Sequence, residues 1–381
     1  MTSATGTISR HHGPRLLHPL SGSNLATLVE VLSSNGPVPF SRWPQAAVAV
    51  AATLARWPFY TAEKIRFARL RARAETMPAP VFIVGHWRSG TTHLYNILSR
   101  DPQWGYVPPL ATGMPWDLLG IVSALRPLLE KALPAHRFID NVPVTPQSPQ
   151  EDEIALANML PLSFYHGIYF PRRLKAHFDR GVFFDGCSPA EVKTWQDTFV
   201  YFLEKVALQQ GGKRLLIKNP VYTGRIALLR SIWPDAKFIH IHRNPHQVFQ
   251  SSKNFYEKLF QELALQDHED APVEQLILDS YPRLMHRLID DSAALPDDAF
   301  VEVRYETLEA DPLRETARIY ETLGLAGYAE ARPSFESYIE SVRSYQKNSY
   351  RYSDAAAERV EAQWAPFLDR WGYGSPAAAA E

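Results

Sequence analysis

A short apolar run followed at once by a glycine loop is the feature that most constrains how this chain folds. Val81-Phe82-Ile83-Val84 stands between Pro80 and Gly85, and a short β-branched run of this kind predicts a strand buried on both faces. Apolar residues then recur at helical spacing over 91–100. The order strand, tight loop, helix is typical of parallel sheets.

The same alternation continues along the chain. Further strands are predicted at 214–218, 237–242 and 300–304, and helices at 223–233, 246–259 and 312–323. We therefore expect an α/β fold: a P-loop-like parallel β-sheet flanked by helices on both faces, with helical additions. In such sheets ligands bind beyond the carboxyl ends of the strands.

A boundary is predicted at Met77-Pro78-Ala79-Pro80, where the preceding helical pattern stops. We expect residues 1–77 to form an N-terminal tail and helical extension, and residues 78–381 to form the main domain. Within the extension, 46–55 predicts a buried helix. Residues 56–75 carry six basic and two acidic side chains, which either form a solvated helix face or dock on anionic lipid or a partner.

Composition excludes several classes of protein. Among the 381 residues, 40 basic side chains balance 41 acidic ones, so no overall positive field recruits nucleic acid. A single cysteine, Cys187, excludes an internal disulfide framework and a zinc site built on thiolates. No apolar run reaches the length of a leader peptide core or a membrane span. A cytoplasmic enzyme without a transmembrane segment is the expectation.

The glycine loop predicts a phosphate site. Gly85 and Gly90 have the spacing of the nucleotide-binding loop G-x-x-x-x-G-K-[ST], in which glycines let the backbone wrap an anion at a helix N-terminus. Thr91 occupies the lysine position, and the positive charge is Arg88, inside the loop. The strand at 237–242 also leads into Arg243 without a carboxylate for Mg²⁺. Metal-free transfer of an anion is favoured over the alternative, a P-loop ATP-dependent kinase.

A second anion site is predicted after the strand at 237–242. Asn244 is an expected N-cap and Pro245 suits the first helical turn, which leaves Arg243 facing the crevice. Ser251 lies two turns further on. Two anion sites at neighbouring strand ends indicate a nucleotide with phosphates on both its 5′ and 3′ sides.

These motifs together resemble the sulfotransferases that use 3′-phosphoadenosine 5′-phosphosulfate (PAPS), in the branch with an arginine in the 5′-phosphosulfate loop. Residues 82–92 are similar to that loop, and Arg243-Asn-Pro245 with Ser251, eight residues on, is similar to the 3′-phosphate site. The branch is also resembled by Lys218-Asn-Pro220, by 303–308, and near the C-terminus by 350–353 with 364–373. The resemblance covers most of 80–373 and implies a sulfotransferase domain over 78–381.

The resemblance implies transfer of a sulfuryl group from PAPS to a hydroxyl or amine of a small-molecule or carbohydrate acceptor. It assigns Arg88 and Lys218 to the oxygens around the breaking bond and implies no metal. The expected cofactor-binding residues are Arg88, Ser89, Gly90, Thr91 and Thr92 for the 5′-phosphate, and Arg243 and Ser251 for the 3′-phosphate. A non-catalytic nucleotide-binding module is the remaining alternative.

The general base is not given by a shared motif. Ser148 and Glu151 have capping-box spacing at the start of a helix predicted to reach Leu160. Glu153 shares an apolar face of that helix, which would raise its pKa, so Glu153 is the first choice and Glu151 the second. The rival bases are His86, His93, His136 and His166.

Two further patterns concern metal binding and the acceptor pocket. His240 and His242 alternate along one strand face like metal ligands, but no third ligand has recognisable spacing. The segment 104–212 is rich in aromatic residues and is expected to form the acceptor pocket and lid. Aromatic residues of this kind more often belong to a plain hydrophobic core.

Overall fold

A parallel sheet of four strands lies at the centre of the computed structural model, which describes residues 17–73, 76–133, 143–343 and 354–374. The strands are β1 (Val81–Val84), β2 (Leu216–Lys218), β3 (Lys237–His242) and β4 (Phe300–Arg304), in the spatial order β2-β1-β3-β4. Phe82 of β1 pairs with Ile217 and Phe238 on its two sides. The predicted parallel sheet is confirmed.

Helices make up most of the remaining described residues. The α-helices are α1 (Leu25–Ser34), α2 (Trp43–Arg71), α3 (Thr91–Leu98), α4 (Pro109–Gly113), α5 (Ile121–Ala124), α6 (Arg126–Lys131), α7 (Glu153–Met159), α8 (Tyr165–Tyr169), α9 (Leu174–Phe183), α10 (Pro189–Gln209), α11 (Ile226–Ile232), α12 (Pro245–Leu263), α13 (Val273–Ser292), α14 (Tyr305–Ala310), α15 (Pro312–Thr322), α16 (Tyr328–Ser341) and α17 (Asp354–Arg370). Short 3₁₀ turns occupy Pro19–Gly22, Phe40–Arg42, Pro171–Arg173 and Pro220–Gly224.

Side chains of the strands alternate between two hydrophobic cores. Phe82 and Val84 enter a large core shared with α1, α2, α7 to α13 and α17. Val81 and Ile83 enter a smaller core closed by α3, α15 and α16. Because successive strand residues point to opposite faces, both faces of the sheet are covered by helices, as the apolar strands predicted.

Two predicted helices differ from the structure. The helix expected over 223–233 is split into a 3₁₀ turn, Pro220–Gly224, and α11, because Asn219 caps the turn by accepting from the Val221 amide at 3.0 Å. The helix at 46–55 is present within α2, but it is not buried all round. Leu54 is 46% exposed, so the expectation of a buried helix was wrong.

Candidate active site

A cleft of about 1190 Å³ lies at the carboxyl ends of the strands. Each strand contributes a residue just beyond its end to the lining: Arg88 after β1, Pro220 after β2, Arg243 after β3 and Tyr305 after β4. This is where parallel sheets bind ligands. The volume exceeds that of an ordinary single-ligand pocket, so the cleft has room for two substrates.

The glycine loop has a geometry that only glycine permits at two positions. Gly85 has φ of +143°, and a Cβ there would stand 2.3 Å from the Ile241 carbonyl oxygen. Gly90 has φ of +98°, and its Cβ would stand 2.2 Å from the Tyr305 ring. Because glycine has no Cβ, the loop backbone lies close to Ile241 and Tyr305. The first residues of α3, Thr91 and Thr92, line the cleft, and the amides of a first helical turn lack partners within the helix.

Arg88 links the two predicted anion sites. Its Nε donates a 2.9 Å hydrogen bond to Ser251 Oγ on α12, and its backbone has a positive φ of 71°, uncommon for a residue with a side chain. Ser251 is 2% exposed, so its hydroxyl is buried where it contacts Arg88. We expected Ser251 to face the same anion as Arg243; the structure places its hydroxyl against Arg88.

Arg243, which follows β3, lines the same cleft. Its guanidinium lies 4.4 Å from the ring centroid of Tyr305, and its buried Nε has no hydrogen-bond partner among the described residues. The hydroxyl of Ser89, also buried, is likewise without a partner in the described chain. Unmatched buried donors are costly, so these two atoms fit an anionic ligand. Arg88 and Arg243 therefore line one cleft.

Tyr305 was missed as a site residue by the sequence analysis. Its ring supports Arg243 and packs against Gly90, while its hydroxyl donates to Glu309 at 2.9 Å. Its position gave a usable signal, because it directly follows a strand of the parallel sheet. The predicted N-cap is confirmed: Asn244 Oδ1 accepts from the His246 amide at 3.0 Å.

Lys218 ends β2 beneath the loop. Its Nζ donates to Thr92 Oγ1 at 3.2 Å and forms an ion pair with Glu151. Its side chain is 3% exposed and that of Glu151 is 18% exposed. Because Glu151 makes this pair, it does not close the predicted capping box. Ser148 instead accepts from the Thr145 amide at 2.9 Å, and the helix begins later, at Glu153.

Glu153 is held away from the cleft. It is 1% exposed, accepts from Ser163 Oγ at 2.7 Å and from Asn219 Nδ2 at 3.1 Å. Burial raises the pKa of Glu153, as its apolar face predicted. Of the two acids, Glu151 lines the cleft.

Asp152 belongs to the same buried polar group. It accepts from Asn219 Nδ2 at 2.9 Å and from the Tyr222 hydroxyl. Burial raises the pKa of Asp152 to about 7, although the hydrogen bond from Tyr222 opposes the rise. This group fixes the turn between β2 and α11, and hence the position of Lys218.

The rival histidine bases have different surroundings. His86 is 3% exposed, contacts the Trp87 carbonyl oxygen at 2.9 Å, and burial lowers its pKa to about 4. His166 is buried against two backbone carbonyls. His93 lines the cleft, and His136 lies outside the described residues.

His240 and His242 do not point toward the cleft. His240 pairs with Glu302 and His242 with Tyr373, each at 3.0 Å. Burial lowers the pKa of His242 to about 3. Within the described ranges, no cluster of three or more His, Cys, Asp or Glu side chains is arranged to hold a metal ion.

The described residues of the segment 104–212 contribute to the cleft within 143–151. Pro143, Thr145, Ser148 and Glu151 line it, whereas the aromatic residues Phe164, Tyr165, Tyr169 and Phe170 lie in the main core. For those four, the core interpretation holds.

Comparison with known proteins decides the family. The model of the family described as "Sulfotransferase family" matches residues 80–330. The chain belongs to this sulfotransferase family. It is an enzyme with sulfotransfer activity, which sets aside the kinase and the non-catalytic binding module that the sequence left open.

Curated relatives agree with this assignment. The sulfotransferase is 29% identical over 353 residues to the omega-hydroxy-beta-dihydromenaquinone-9 sulfotransferases Stf3 of Mycobacterium bovis and Mycobacterium tuberculosis. The match covers 92% of this chain and 90% of each relative.

Solved structures share the fold. Sulfotransferase STF9 of Mycobacterium avium superposes with a TM-score of 0.69 at 20% identity, over 91% of this chain and 90% of that one. Sulfotransferase STF1 of Mycobacterium tuberculosis gives a TM-score of 0.58 at 18% identity, over 89% and 91% of the two chains. No helix in the described residues is both long and apolar enough to cross a membrane.

Proposed function

We propose that this sulfotransferase takes its sulfuryl group from PAPS and delivers it to a hydroxyl of a largely apolar small molecule. The observation that carries the donor assignment is the common cleft of Arg88 and Arg243. Arg243, which lines the cleft, has a buried Nε without a partner among the described residues, and the buried hydroxyl of Ser89 in the adjoining loop also lacks one there. A nucleotide with anionic groups on both its 5′ and 3′ sides can contact Arg88 with one group and Arg243 with the other.

Different residues at the cleft have different roles in the transfer reaction. Transfer breaks the bond between sulfur and the 5′-phosphate oxygen and forms a bond from sulfur to the acceptor oxygen. Arg88 and Lys218 neutralise charge on the phosphate that leaves, and the loop amides with Thr91 and Thr92 orient it. The 3′-phosphate interacts with Arg243, while Ser251 fixes the Arg88 side chain.

Glu151 is the proposed base, in place of our first choice, Glu153. Its carboxylate lines the cleft beside Lys218, where it can accept the proton of the acceptor hydroxyl. Glu153 is 1% exposed and engaged by Ser163 and Asn219, so it orders the turn beside Lys218.

The acceptor class rests on two observations. Trp87, Pro220 and Phe255 give the cleft an apolar wall, and the similar Mycobacterium enzymes are named for a hydroxylated menaquinone. A hydroxyl on an apolar molecule fits both better than a carbohydrate does.

Labelled donor tests the proposal. The enzyme is incubated with sulfur-labelled PAPS and with either a lipid extract or a water-soluble extract of cells. We expect labelled product in the lipid fraction, heavier than its precursor by one sulfuryl group. Label confined to the water-soluble fraction would contradict the acceptor class. Thermal stabilisation by ATP with Mg²⁺, but not by adenosine 3′,5′-bisphosphate, would contradict the donor.

A further inference from the structure

The outward face of α2 is apolar along most of its length. Residues at spacings of three or four form a single stripe on the helix: Trp43, Ala47, Val50, Leu54, Trp57, Thr61, Ile65 and Ala68, of which Val50 is half-buried against the main core. Trp43 is 57% exposed and Trp57 is 54% exposed. The opposite face packs on the protein through Ala49, Thr53 and Phe67. Among the described residues, the helix is therefore covered on one side only.

Exposed large apolar side chains concentrate at this helix. Of twelve in the described residues, seven lie on α2 or just before it: Phe40, Trp43, Leu54, Trp57, Phe59, Ile65 and Leu70. Leu125 and Leu128, 43% and 66% exposed, follow a segment anchored to α2, because the amide of Leu119 donates to Glu63 at 3.0 Å. A concentration of this kind marks an interaction surface.

The exposed charged side chains of α2 itself are all basic, and one of them, Arg71, is paired with Glu204 of α10. Between residues 36 and 73, Glu63 is the only acid, and it is 4% exposed and paired with Lys205. The basic side chains of Lys64, Arg66 and Arg69 are exposed near the end of the helix. An apolar face bordered by cations is complementary to an anionic lipid surface.

We propose that α2 docks this enzyme on anionic membrane surfaces as an interfacial helix, with Trp43, Leu54 and Trp57 entering the headgroup region. The basic C-terminal part of the helix binds lipid phosphates, which extends the docking interpretation of residues 56–75 to the apolar stripe before them. The helix lies in the membrane plane. This proposal does not depend on the donor or the acceptor.

Vesicle sedimentation of the full-length protein tests it. One set of vesicles is phosphatidylcholine alone, and the other is phosphatidylcholine with phosphatidylglycerol. We expect strong binding to the anionic set, weakened by salt. Trp43→Glu with Trp57→Glu should lower the partition coefficient at least about tenfold. Lys64→Glu with Arg69→Glu should lower binding to the anionic vesicles and leave binding to the phosphatidylcholine vesicles unchanged.

A matched control adds the same charge elsewhere. Ala329→Glu with Ala355→Glu places two carboxylates at exposed helical positions and should leave vesicle binding unchanged. Circular dichroism of each variant checks the fold. Equal binding by the control and the tryptophan variant, where both are folded, overturns the proposal. The proposal is also overturned if the wild-type protein binds neither set of vesicles. A third contrary result is a wild-type dimer, detected by light scattering, that does not bind vesicles and that the tryptophan changes dissociate.

Discussion

Arg88 Nε and Ser251 Oγ are joined by a 2.9 Å hydrogen bond although 163 residues separate them in the chain. The bond connects the loop after β1 with the helix after β3, so the two elements that we propose to bind anions are held as one unit. It also fixes the guanidinium, which limits the side-chain entropy that Arg88 loses when a ligand binds.

Loss of Arg88 should remove turnover without unfolding the protein. We expect Arg88→Ala to lower kcat by at least about 10²-fold, because a preorganised cation at the leaving phosphate is lost. Steady-state rates and thermal unfolding measure the two effects. Arg314→Ala, at an exposed position of α15, is the control. Near-normal turnover by Arg88→Ala would refute its role.

Changes at Glu151 and Glu153 should have different effects, because we assign Glu151 to catalysis and Glu153 to the structure of the turn. Glu151→Gln keeps the shape of the side chain but cannot accept a proton, so kcat should fall at least about 10²-fold. Glu153→Gln is the matched comparison and should retain more of its rate. If Glu153→Gln or His93→Gln shows the larger loss in single-turnover rate, Glu151 is not the base.

Gly90→Ala should damage the loop. A Cβ at φ of +98° would stand 2.2 Å from the Tyr305 ring, so we expect more than about 1 kcal/mol of destabilisation and weaker nucleotide binding. Gly113→Ala is the control, since nothing lies within 4 Å of its added Cβ. Denaturant unfolding and calorimetry read out both effects, and equal behaviour of the two variants would argue against a tight loop.

Asp152 should make stability depend on pH. Its pKa is raised from 3.8 to about 7 in the folded protein, so the folded state binds the proton more tightly than the unfolded chain does. Its contribution is full below about pH 4 and is lost as pH rises through about 7, by at most about 4 kcal/mol. Asp152→Asn should flatten this decline in the free energy of unfolding. An unchanged pH profile would refute it.

The sequence predicted the sheet, and it predicted that Arg88 and Arg243 lie at the carboxyl edge of that sheet, because local patterns encode both. Apolar strands followed by Gly85 or Arg243 place those residues at the strand ends without reference to distant contacts. Glu151 shows the limit of this reasoning. Its spacing from Ser148 predicted a helix cap, but the ion pair with Lys218 depends on a strand 67 residues away.

The exposed apolar face of α2 could not be predicted from the sequence for a related reason. An apolar run indicates a helix, but its composition does not reveal whether one face or all faces are covered. Ser251 illustrates the same limit within the site, because its partner Arg88 comes from a different strand-loop-helix unit.

Calorimetric binding of two nucleotides tests the pairing of the anion sites most directly. Wild-type enzyme should bind adenosine 3′,5′-bisphosphate at least about tenfold more tightly than adenosine 5′-monophosphate, since charged hydrogen bonds to the 3′-phosphate are added. Arg243→Ala should abolish that difference and leave the affinity for the monophosphate nearly unchanged. Equal affinities in the wild type, or an equal loss for both nucleotides in Arg243→Ala, would contradict a single nucleotide held by Arg88 and Arg243 together.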